Sequence, residues 1–465
     1  MVYYHETGTA VRGFPQGVVM TKNGEGFARY LPLTFLIGFG FFTVGMMDPL
    51  YDSYVQIFLA RYIPYKSVIG VIMSLDNLLA LFLIPLVSVW SDRTRTPIGR
   101  RMPWILVLLP LSAVCFAAIP YAAEYSLVSL VILLLFLNLF KQSARGPVVA
   151  LMPDTIPGRY RSQANGVINT MGNVAAIVGT LFLARLMDVE KVLPFFGATK
   201  NRLAFPAAAL FVLVAVVFLF LFVREKGTGR ESAAGPDSAA TPDSDEAKEP
   251  FFKSITLVFS ARDKSGFLVL VSLFLWFVGY QGVVPYLTEF SIKTFSLSTG
   301  QGPLAMGMVG ISSALFAIPM GYAASRWGRK RTIRASLVVI SFLMIAVYFL
   351  EPAGAMLGLG LRQMTLVFWA LMFGYGVFWI CVVANSFPML WQMAHFGNIG
   401  VYTGLYYTFS QLAAIAAPAL SGAIIDAAGY RSMFVFCAVF FFLSFITMGF
   451  VTGGEKNDAP VELRD

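Results

Sequence analysis

The stretch NGVINTMGNVAAIVG at 165–179 aligns with TGLYYTFSQLAAIAA at 403–417, and the same offset carries Asp188 onto Asp426. Both stretches lie within long apolar segments, so the sequence contains two copies of a membrane-embedded unit. Two such halves are typical of carriers that bind a solute at the interface between them. The repeat therefore predicts a two-part membrane protein with an interior site.

The composition leads to the same class of protein. Hydrophobic residues make up 57 % of the 465 residues and charged residues only 13 %, whereas a soluble domain carries about 25 % charged residues. This excludes a soluble enzyme, a disordered protein and a nucleic-acid-binding protein, and it makes the lipid bilayer a partner. With 3 cysteines in apolar runs and only 2 histidines, we expect no cofactor and no metal site. The HExxH and GxSxG motifs of hydrolases are missing from the sequence, so we do not expect an enzyme.

Twelve apolar segments are each near the length of about 20 residues that a helix needs to cross a bilayer. They predict an all-α integral membrane protein with two pseudo-symmetric halves of six helices. The first segment is long and contains Pro49, which predicts a tilt or a break in that helix. The segments lie at 31–58, 67–90, 102–122, 125–151, 162–187, 203–223, 266–290, 303–326, 333–351, 365–391, 399–427 and 431–452.

The spacing of the segments gives the domain organisation. We expect an N-terminal segment at 1–27, a six-helix bundle at 28–223, a linker at 224–265, a second bundle at 266–452 and a tail at 453–465. The linker is rich in Ser, Ala, Pro and acidic residues, as flexible connections are.

Lysine and arginine are concentrated in alternate loops, including a cluster at 93–101 and another at 326–334. Loops of this kind stay on the cytoplasmic side of a membrane. The distribution therefore predicts a multi-pass protein of the cell (inner) membrane with both termini in the cytoplasm. We expect it to be monomeric.

The loop DRTRTPIGRRMP at 92–103 resembles the D-R-T-x-x-x-x-G-R-x-x-P signature of the glycoside–pentoside–hexuronide and sucrose–proton symporter branch of the major facilitator superfamily. The stretches GPVVALMPD at 146–154, RSQANG at 161–166 and YTGLY at 402–406 resemble that branch as well. The resemblance covers most of both halves. It implies a twelve-helix carrier that works by alternating access, usually on a sugar coupled to a cation.

Two features depart from the pattern of this branch. Melibiose-type members place sodium-binding acids on helix 2, where this chain has Ala80 and Ile84, so the resemblance implies no sodium site of that kind. Sucrose-type members carry an arginine where this chain has Val149, and Arg145 lies one turn earlier on the same face. Arg145 is therefore a candidate for the role of that arginine.

Five ionisable residues lie deep in the predicted helices, where burying each one costs at least about 2.5 kcal/mol and so indicates a function. Asp48 and Asp52 share one face of helix 1, and Asp76 lies in helix 2. Lys141 and Arg145 share one face of helix 4. We expect the three acids to carry the coupling proton and the opposite charges to pair across helices.

Other interpretations of these acids remain open. Asp48 and the proline after it also fit the N-cap and first turn of a restarted helix, or a structural ion pair. Asp52 and Glu289 also fit the outer water interface.

Polar stripes and aromatic side chains supply the candidates for solute binding. Asn165, Asn169 and Asn173 recur every four residues on helix 5, and their repeat partners lie at 403, 407 and 411. This spacing keeps each trio on one helix face, where amides and hydroxyls either bind a polyhydroxylated solute or join helices. Aromatic residues of helices 7 and 10 are of the kind that stacks on a sugar ring. The substrate-binding candidates are Lys141, Arg145, Asn169, Asn173, Trp276, Tyr280, Gln281, Tyr375, Trp379, Asn385, Thr403, Tyr407 and Gln411.

A candidate gate lies around the basic loop, with Asp92 at the inner end of helix 2 and Asp154 at the end of helix 4. When the halves close on the cytoplasmic side, we expect Asp92 to face the N-terminus of helix 11, whose partial positive charge favours an anion by about 0.3–1 kcal/mol. We expect Arg100 to bind Asp154. Anchoring by positive charge alone would explain the arginines but not the acids. The gating candidates are Asp92, Arg93, Gly99, Arg100, Asp154, Arg161, Gly328 and Arg329.

Three functional hypotheses follow. The leading one is a secondary transporter that moves a small solute, a sugar or glycoside, together with protons by symport, since the sequence has no Walker loop for ATP. The second is a carrier of an anionic or amphipathic solute, such as an organic anion, a drug or a lysolipid, which Lys141 and Arg145 would bind. The third is a transport-incompetent membrane sensor of the same fold, which would bind its ligand without saturable counterflow.

Overall fold

The computed structural model describes residues 27–157, 160–194, 197–223, 225, 264–393 and 399–452. The predictions for the N-terminal segment, most of the linker and the tail therefore lie outside the described residues. Within the described ranges the chain is helical apart from its loops and one short hairpin, in which Val192–Leu193 pairs with Gly197–Ala198.

Twelve long helices, numbered here in chain order, make up the described membrane domain. All twelve are long and apolar enough to cross a membrane, which confirms the predicted all-α fold of two six-helix halves. The first half contains α1 (Leu31–Leu59), α2 (Lys66–Arg93), α3 (Met102–Tyr125), α4 (Leu127–Thr155), α5 (Arg161–Leu181) and α6 (Ala204–Phe222). The second half contains α7 (Ser265–Phe295), α8 (Leu304–Trp327), α9 (Arg329–Met356), α10 (Leu361–Gln392), α11 (Ile399–Ala428) and α12 (Ser432–Gly449).

Helix α1 runs without interruption through Pro49. The predicted break at this proline is therefore wrong, and so is the interpretation of Asp48 as the N-cap of a restarted helix. Proline is tolerated inside membrane helices where neighbouring helices surround the freed backbone groups. Such packing surrounds this proline, because Met46, Met47 and Leu50 are fully buried beside it.

Each half buries its own apolar core. Tyr54, Phe116 and Phe205 lie in the core of the first half, and Trp276 and Phe441 lie in the core of the second. Lipid is as apolar as these side chains, so close packing rather than transfer out of water holds each half together. Two separately packed halves leave their mutual interface free to hold a site.

The halves meet where α2 lies against α11, α5 against α8, and α1 against α7. The closest approach places Gly70 of α2 against the backbone of Pro418, and Gly422 of α11 against the backbone of Lys66 and Ser67. A Cβ atom at either glycine would collide with those backbone atoms. Only glycine allows the two helices to come so close.

Candidate functional site

Lys141 of α4 lies between carboxylates from two neighbouring helices. Its Nζ is 2.9 Å from Oδ1 of Asp48 and 3.4 Å from Oδ2 of Asp76. Only 3 % of the lysine side chain is exposed, compared with 38 % of the Asp48 side chain. The two acids offset the cost of burying the ammonium group, which would be highest for a charge without a partner.

Tyr51 contacts Lys141 from another side, and Asn138 bonds to Tyr51. The lysine Nζ lies 4.9 Å from the centre of the Tyr51 ring, which is within cation–π range. Asn138 Nδ2 donates a hydrogen bond of 3.1 Å to the Tyr51 hydroxyl, and all three residues are buried. The ammonium group is therefore fixed in position, and a change in charge of either acid would change its bonding.

A cavity of about 570 Å³ lies between the two halves. The first half contributes Asp48, Asp52 and Asn173 to its wall, and the second half contributes Tyr280 and Trp379. The volume falls within the range of about 300–1,000 Å³ that is usual for small-molecule sites. The charged residues among those that line it, Asp48 and Asp52, are both acids.

The wall contributed by the second half is built on an aromatic stack. The rings of Tyr280 and Trp379 have centroids 4.3 Å apart and planes only 3° apart. Tyr375 lies parallel to Tyr280 at 6.5 Å, and Phe441 contacts Trp379 edge-on at 5.9 Å. Offset and edge-on contacts of this kind stabilise aromatic clusters. The stack therefore gives the cavity a firm, flat apolar surface.

The structure brings six of the predicted residues together around this cavity, and it places others elsewhere. Trp276 is fully buried in the core of the second half, and Tyr375 is buried in the aromatic stack. Asn385 is also buried, and its Nδ2 donates to the carbonyl of Cys381 at 2.8 Å. The six that line the cavity are Asp48, Asp52, Asn173, Tyr280, Gln281 and Trp379.

The polar stripes on α5 and α11 extend beyond the cavity wall. Asn169 is exposed on α5, and its Nδ2 donates to the carbonyl of Asn165 at 2.8 Å. On α11, Tyr407 is exposed, whereas Thr403 and Gln411 are half-buried. None of these five belongs to the described residues that line the cavity.

Arg145 is half-buried on α4, one turn after Lys141. In the part of the chain that the structure describes, it makes no hydrogen bond or ion pair, and it does not line the cavity. The pairing with an acid that the sequence led us to expect is made by Lys141 instead.

Asp426, near the end of α11, caps a helix of the other half. It accepts hydrogen bonds from the backbone nitrogens of Lys66 and Ser67 at 2.7 and 2.9 Å, and from the Ser67 hydroxyl at 2.8 Å. Lys66 and Ser67 are the first residues of α2, and the preceding Tyr65 provides no side-chain cap. The carboxylate therefore acts as an N-cap supplied across the interface.

Asp188, the repeat partner of Asp426, makes an equivalent contact in the opposite direction. It follows α5 in the first half, and it accepts bonds from the Ser298 hydroxyl at 2.6 Å and the Gly300 nitrogen at 2.9 Å in the second half. We call this end of the bundle, which carries Asp188 and Asp426, the clasp end. The duplication is therefore visible in the contacts as well as in the sequence.

An ion pair joins the halves at the same end. Lys66 Nζ lies 2.9 Å from Oε2 of Glu289, and their side chains are only 9 % and 6 % exposed. The exposed Lys293 lies 2.7 Å from the other carboxylate oxygen, and the Tyr286 hydroxyl donates to the Lys66 carbonyl at 2.8 Å. Burial and the nearby Glu289 charge raise the pKa of the Tyr430 phenol beside this pair, so the phenol stays protonated.

We call the opposite end of the bundle, where Asp92 and Asp154 lie, the loop end. Arg101 is buried and donates to both acids, with its Nε 2.9 Å from Asp154. Arg100 Nη2 lies 2.7 Å from the other oxygen of Asp154, and Glu225 accepts from the Arg101 backbone nitrogen at 2.9 Å. The two arginines and the two aspartates belong to the first half, and Glu225 follows its last helix, α6.

The other gating candidates also lie at the loop end. Gly99 and Gly328 have φ angles of +112° and +91° in the turns before α3 and α9, a conformation that side chains disfavour. Arg161 and Arg329 each donate to a backbone carbonyl of their own half, at 2.9 and 3.2 Å. Arg93 ends α2 and is exposed.

The sequence model of the Major Facilitator Superfamily matches residues 30–418. The chain belongs to the major facilitator superfamily. Membership of this superfamily, together with the twelve apolar helices, indicates a multi-pass membrane transporter of a small-molecule solute and not an enzyme.

Solved structures of superfamily transporters share the fold. A bacterial homolog of the human lysosomal transporter Spinster, inward-facing and unoccupied, is 14 % identical, with a TM-score of 0.67, 94 % of this chain covered and 100 % of that chain. The nucleoside transporter NupG is 14 % identical, with a TM-score of 0.63 and coverage of 90 % and 98 %. A D-xylose–proton symporter is 16 % identical, with a TM-score of 0.63 and coverage of 92 % and 99 %. No curated protein sequence matches the chain significantly.

Four polar residues that line the cavity of this protein were not among the candidates from the sequence. They are Ser53, Thr170, Thr180 and Ser313. Thr170 and Thr180 lie three residues before and seven residues after Asn173, which places them on one helix face. The sequence therefore carried a signal for these two. The serines gave no comparable signal, because neither recurs at helical spacing with a candidate.

Proposed function

We propose that this protein is a proton-coupled symporter of a sugar or glycoside, related to the glycoside–pentoside–hexuronide and sucrose–proton symporters. It would act in the cell inner membrane as a monomer by alternating access, with both termini and the loop end in the cytoplasm. The proposal rests above all on the cavity between the halves, which combines acids of the first half with the aromatic stack of the second.

The chemistry of the cavity wall suits a neutral polyhydroxylated solute. A sugar has apolar C–H faces that can lie on the rings of Tyr280 and Trp379, and hydroxyl groups that both donate and accept hydrogen bonds. Asp52 offers acceptors, and it has no ion pair or hydrogen bond among the described residues. Asn173 and Gln281 offer both donors and acceptors.

The same wall disfavours an anionic solute. The charged residues among those that line the cavity are acids, and they would repel an anion. Of the two bases that would bind an anion, Arg145 does not line the cavity, and Lys141 is buried and bonded to Asp48 and Asp76. An anion would have to displace both carboxylates to reach Lys141, at the cost of leaving them without a partner.

The bonds of Lys141 suggest how proton movement could be coupled to transport. A proton on Asp48 or Asp76 would neutralise that carboxylate and weaken its bond to Lys141. Its loss would restore the bond. Because Asp48 also lines the cavity, a change in this bond would alter the charge and the position of a group at the solute site.

The test uses the purified full-length protein in liposomes. A counterflow panel of sugars, glycosides, organic anions and lysolipids identifies the solute, and an imposed pH gradient then drives accumulation. One pH unit can sustain about tenfold accumulation for each coupled proton. We expect Asp48→Asn and Asp76→Asn to abolish this accumulation while downhill counterflow continues, because an amide cannot carry the proton. Glu190→Gln, which alters an exposed loop carboxylate, is the matched control.

Three results would contradict the proposal. Undiminished accumulation in both aspartate variants would show that neither Asp48 nor Asp76 carries the coupling proton. Counterflow of organic anions but not of sugars would favour the carrier of anionic solutes. Saturable binding of a sugar without counterflow would indicate a sensor.

A further inference from the structure

A second concave surface lies between α5 and α8 at the clasp end, apart from the cavity described above. This groove has a volume of about 670 Å³. Leu181 and Phe182, at the end of α5, line one side, and Leu304, Met308 and Ile311 line the other. The spacing of the three α8 residues places them on one face, along about 10 Å of the helix. The groove is therefore apolar along one face of α8 and against the end of α5.

One end of the groove is polar. Arg185, Asp188 and Gln301 line it there. Asp188 is already bonded to the second half through Ser298 and Gly300. Arg185 is exposed, and it has no ion pair or hydrogen bond among the described residues. The charged group that the groove offers a ligand is therefore the Arg185 guanidinium.

We propose that this groove binds an anionic phospholipid of the bilayer, with its phosphate at Arg185 and one acyl chain along the apolar face of α8. The parts of a lipid match the parts of the groove. Its charged headgroup fits the polar end at Arg185, and its long apolar chain fits the apolar face of α8. An arginine at the membrane surface attracts anionic lipid headgroups. A free phosphate or another small anion would leave the apolar length of the groove unfilled.

A lipid bound in the groove would lie next to contacts that join the two halves. Asp188 belongs both to the groove wall and to the contacts that join the halves. A lipid headgroup at Arg185 would therefore lie directly beside the bonds that close this edge of the clasp end. Neither the solute cavity nor proton coupling is needed for such binding.

Trp369 lines the groove and serves as the reporter. The full-length protein is placed in nanodiscs of increasing content of phosphatidylglycerol with dibrominated acyl chains, which quench tryptophan on contact. The Trp369 contribution is the fluorescence lost in the wild type minus that lost in Trp369→Phe. We expect it to saturate, and to need about fivefold more brominated phosphatidylglycerol in Arg185→Ala, the loss expected for one basic residue at a membrane surface.

Matched variants separate a binding site from general contact with lipid. Arg362→Ala removes an exposed arginine at the start of α10 and should leave the Trp369 quenching unchanged, and Arg185→Lys, which keeps the charge, should stay close to wild type. Brominated phosphatidylcholine should quench Trp369 only at higher content. Equal quenching by the two lipids, equal effects of the two alanine variants, or no contribution from Trp369 would each overturn the proposal.

Discussion

At the clasp end, Asp188, Asp426 and Glu289 bond to the opposite half of the molecule, whereas at the loop end Asp92 and Asp154 bond to arginines of their own half. Both ends thus carry acids close to basic or amide partners. They differ in whether breaking those bonds is required for the halves to separate.

This difference identifies the state of the carrier. Bonds between the halves stabilise the conformation in which that end is closed, and bonds within one half favour neither conformation. The clasp end is therefore held closed here. The interaction that we expected for Asp92 at the loop end, a carboxylate facing the first turn of a helix from the other half, is made at the clasp end by Asp426.

Glu289→Gln is expected to disturb the clasp end most. It leaves the buried Lys66 ammonium without its carboxylate, and breaking a buried pair in this way costs about 3 kcal/mol or more. The population should therefore shift by about a hundredfold toward molecules that are open at the clasp end. Spin labels at Tyr125 and Met356, exposed residues that end α3 and α9, report the opening as a longer distance by double electron–electron resonance.

The labelled protein has its three native cysteines, which are buried or half-buried, replaced by alanine. Lys293→Gln is the matched control, because Lys293 pairs with the same carboxylate but is 60 % exposed, and exposed pairs contribute about 0–1 kcal/mol. A distance as short in Glu289→Gln as in the control would show that the ion pair does not hold the halves together.

Asp426→Asn should have a smaller effect in the same direction. The amide keeps one acceptor oxygen, but its NH₂ group takes the place of the other and cannot accept a hydrogen bond. Losing a hydrogen bond of this kind costs about 1 kcal/mol. Asp188 accepts two hydrogen bonds, whereas Asp426 accepts three. Asp188→Asn should therefore lengthen the distance between the labels less. If Asp188→Asn lengthened it more than Asp426→Asn, the edge formed by α5 and α8 would be the stronger of the two.

Asp92→Asn should have the smallest effect, and it should act in the opposite direction. If Asp92 faces the N-terminus of α11 when the loop end is closed, its loss costs that state about 0.3–1 kcal/mol and favours closure of the clasp end. In the Glu289→Gln background, the added Asp92→Asn should therefore shorten the distance between the labels. Asp154→Asn is the control, since its described partners lie in its own half. Equal distances between the labels in the two double variants would show that Asp92 does not stabilise closure of the loop end.

The twelve helices could be predicted because each membrane helix is one continuous segment, whose length and apolarity can be read directly from the sequence. The uninterrupted course of α1 through Pro49 could not be predicted, because a proline inside a membrane helix is tolerated only where other helices pack around it, as the burial of Met46 and Met47 indicates here. Which helices pack there cannot be read from the sequence of one segment.

The candidate site was predictable in part. Buried charges require partners, which led to the expectation that the acids of α1 and α2 would meet a base of α4, but one turn of helix decides between Lys141 and Arg145. The Lys66–Glu289 pair was missed, because both residues lie near segment ends, where a charge in water is ordinary. The repeat marked Asp188 and Asp426, yet the bonds that they make depend on which end of the carrier is closed.

The close contact of Gly70 and Gly422 with the opposite backbones has a consequence for energy conservation. A carrier driven by a proton gradient loses that gradient if a chain of water molecules connects both sides of the membrane through its centre. At these two glycines the backbones are too close for even one added carbon atom, so no water molecule fits between them. In the proton-coupled carrier that we propose, this glycine contact would act as a seal that keeps protons from leaking past the closed clasp end without solute.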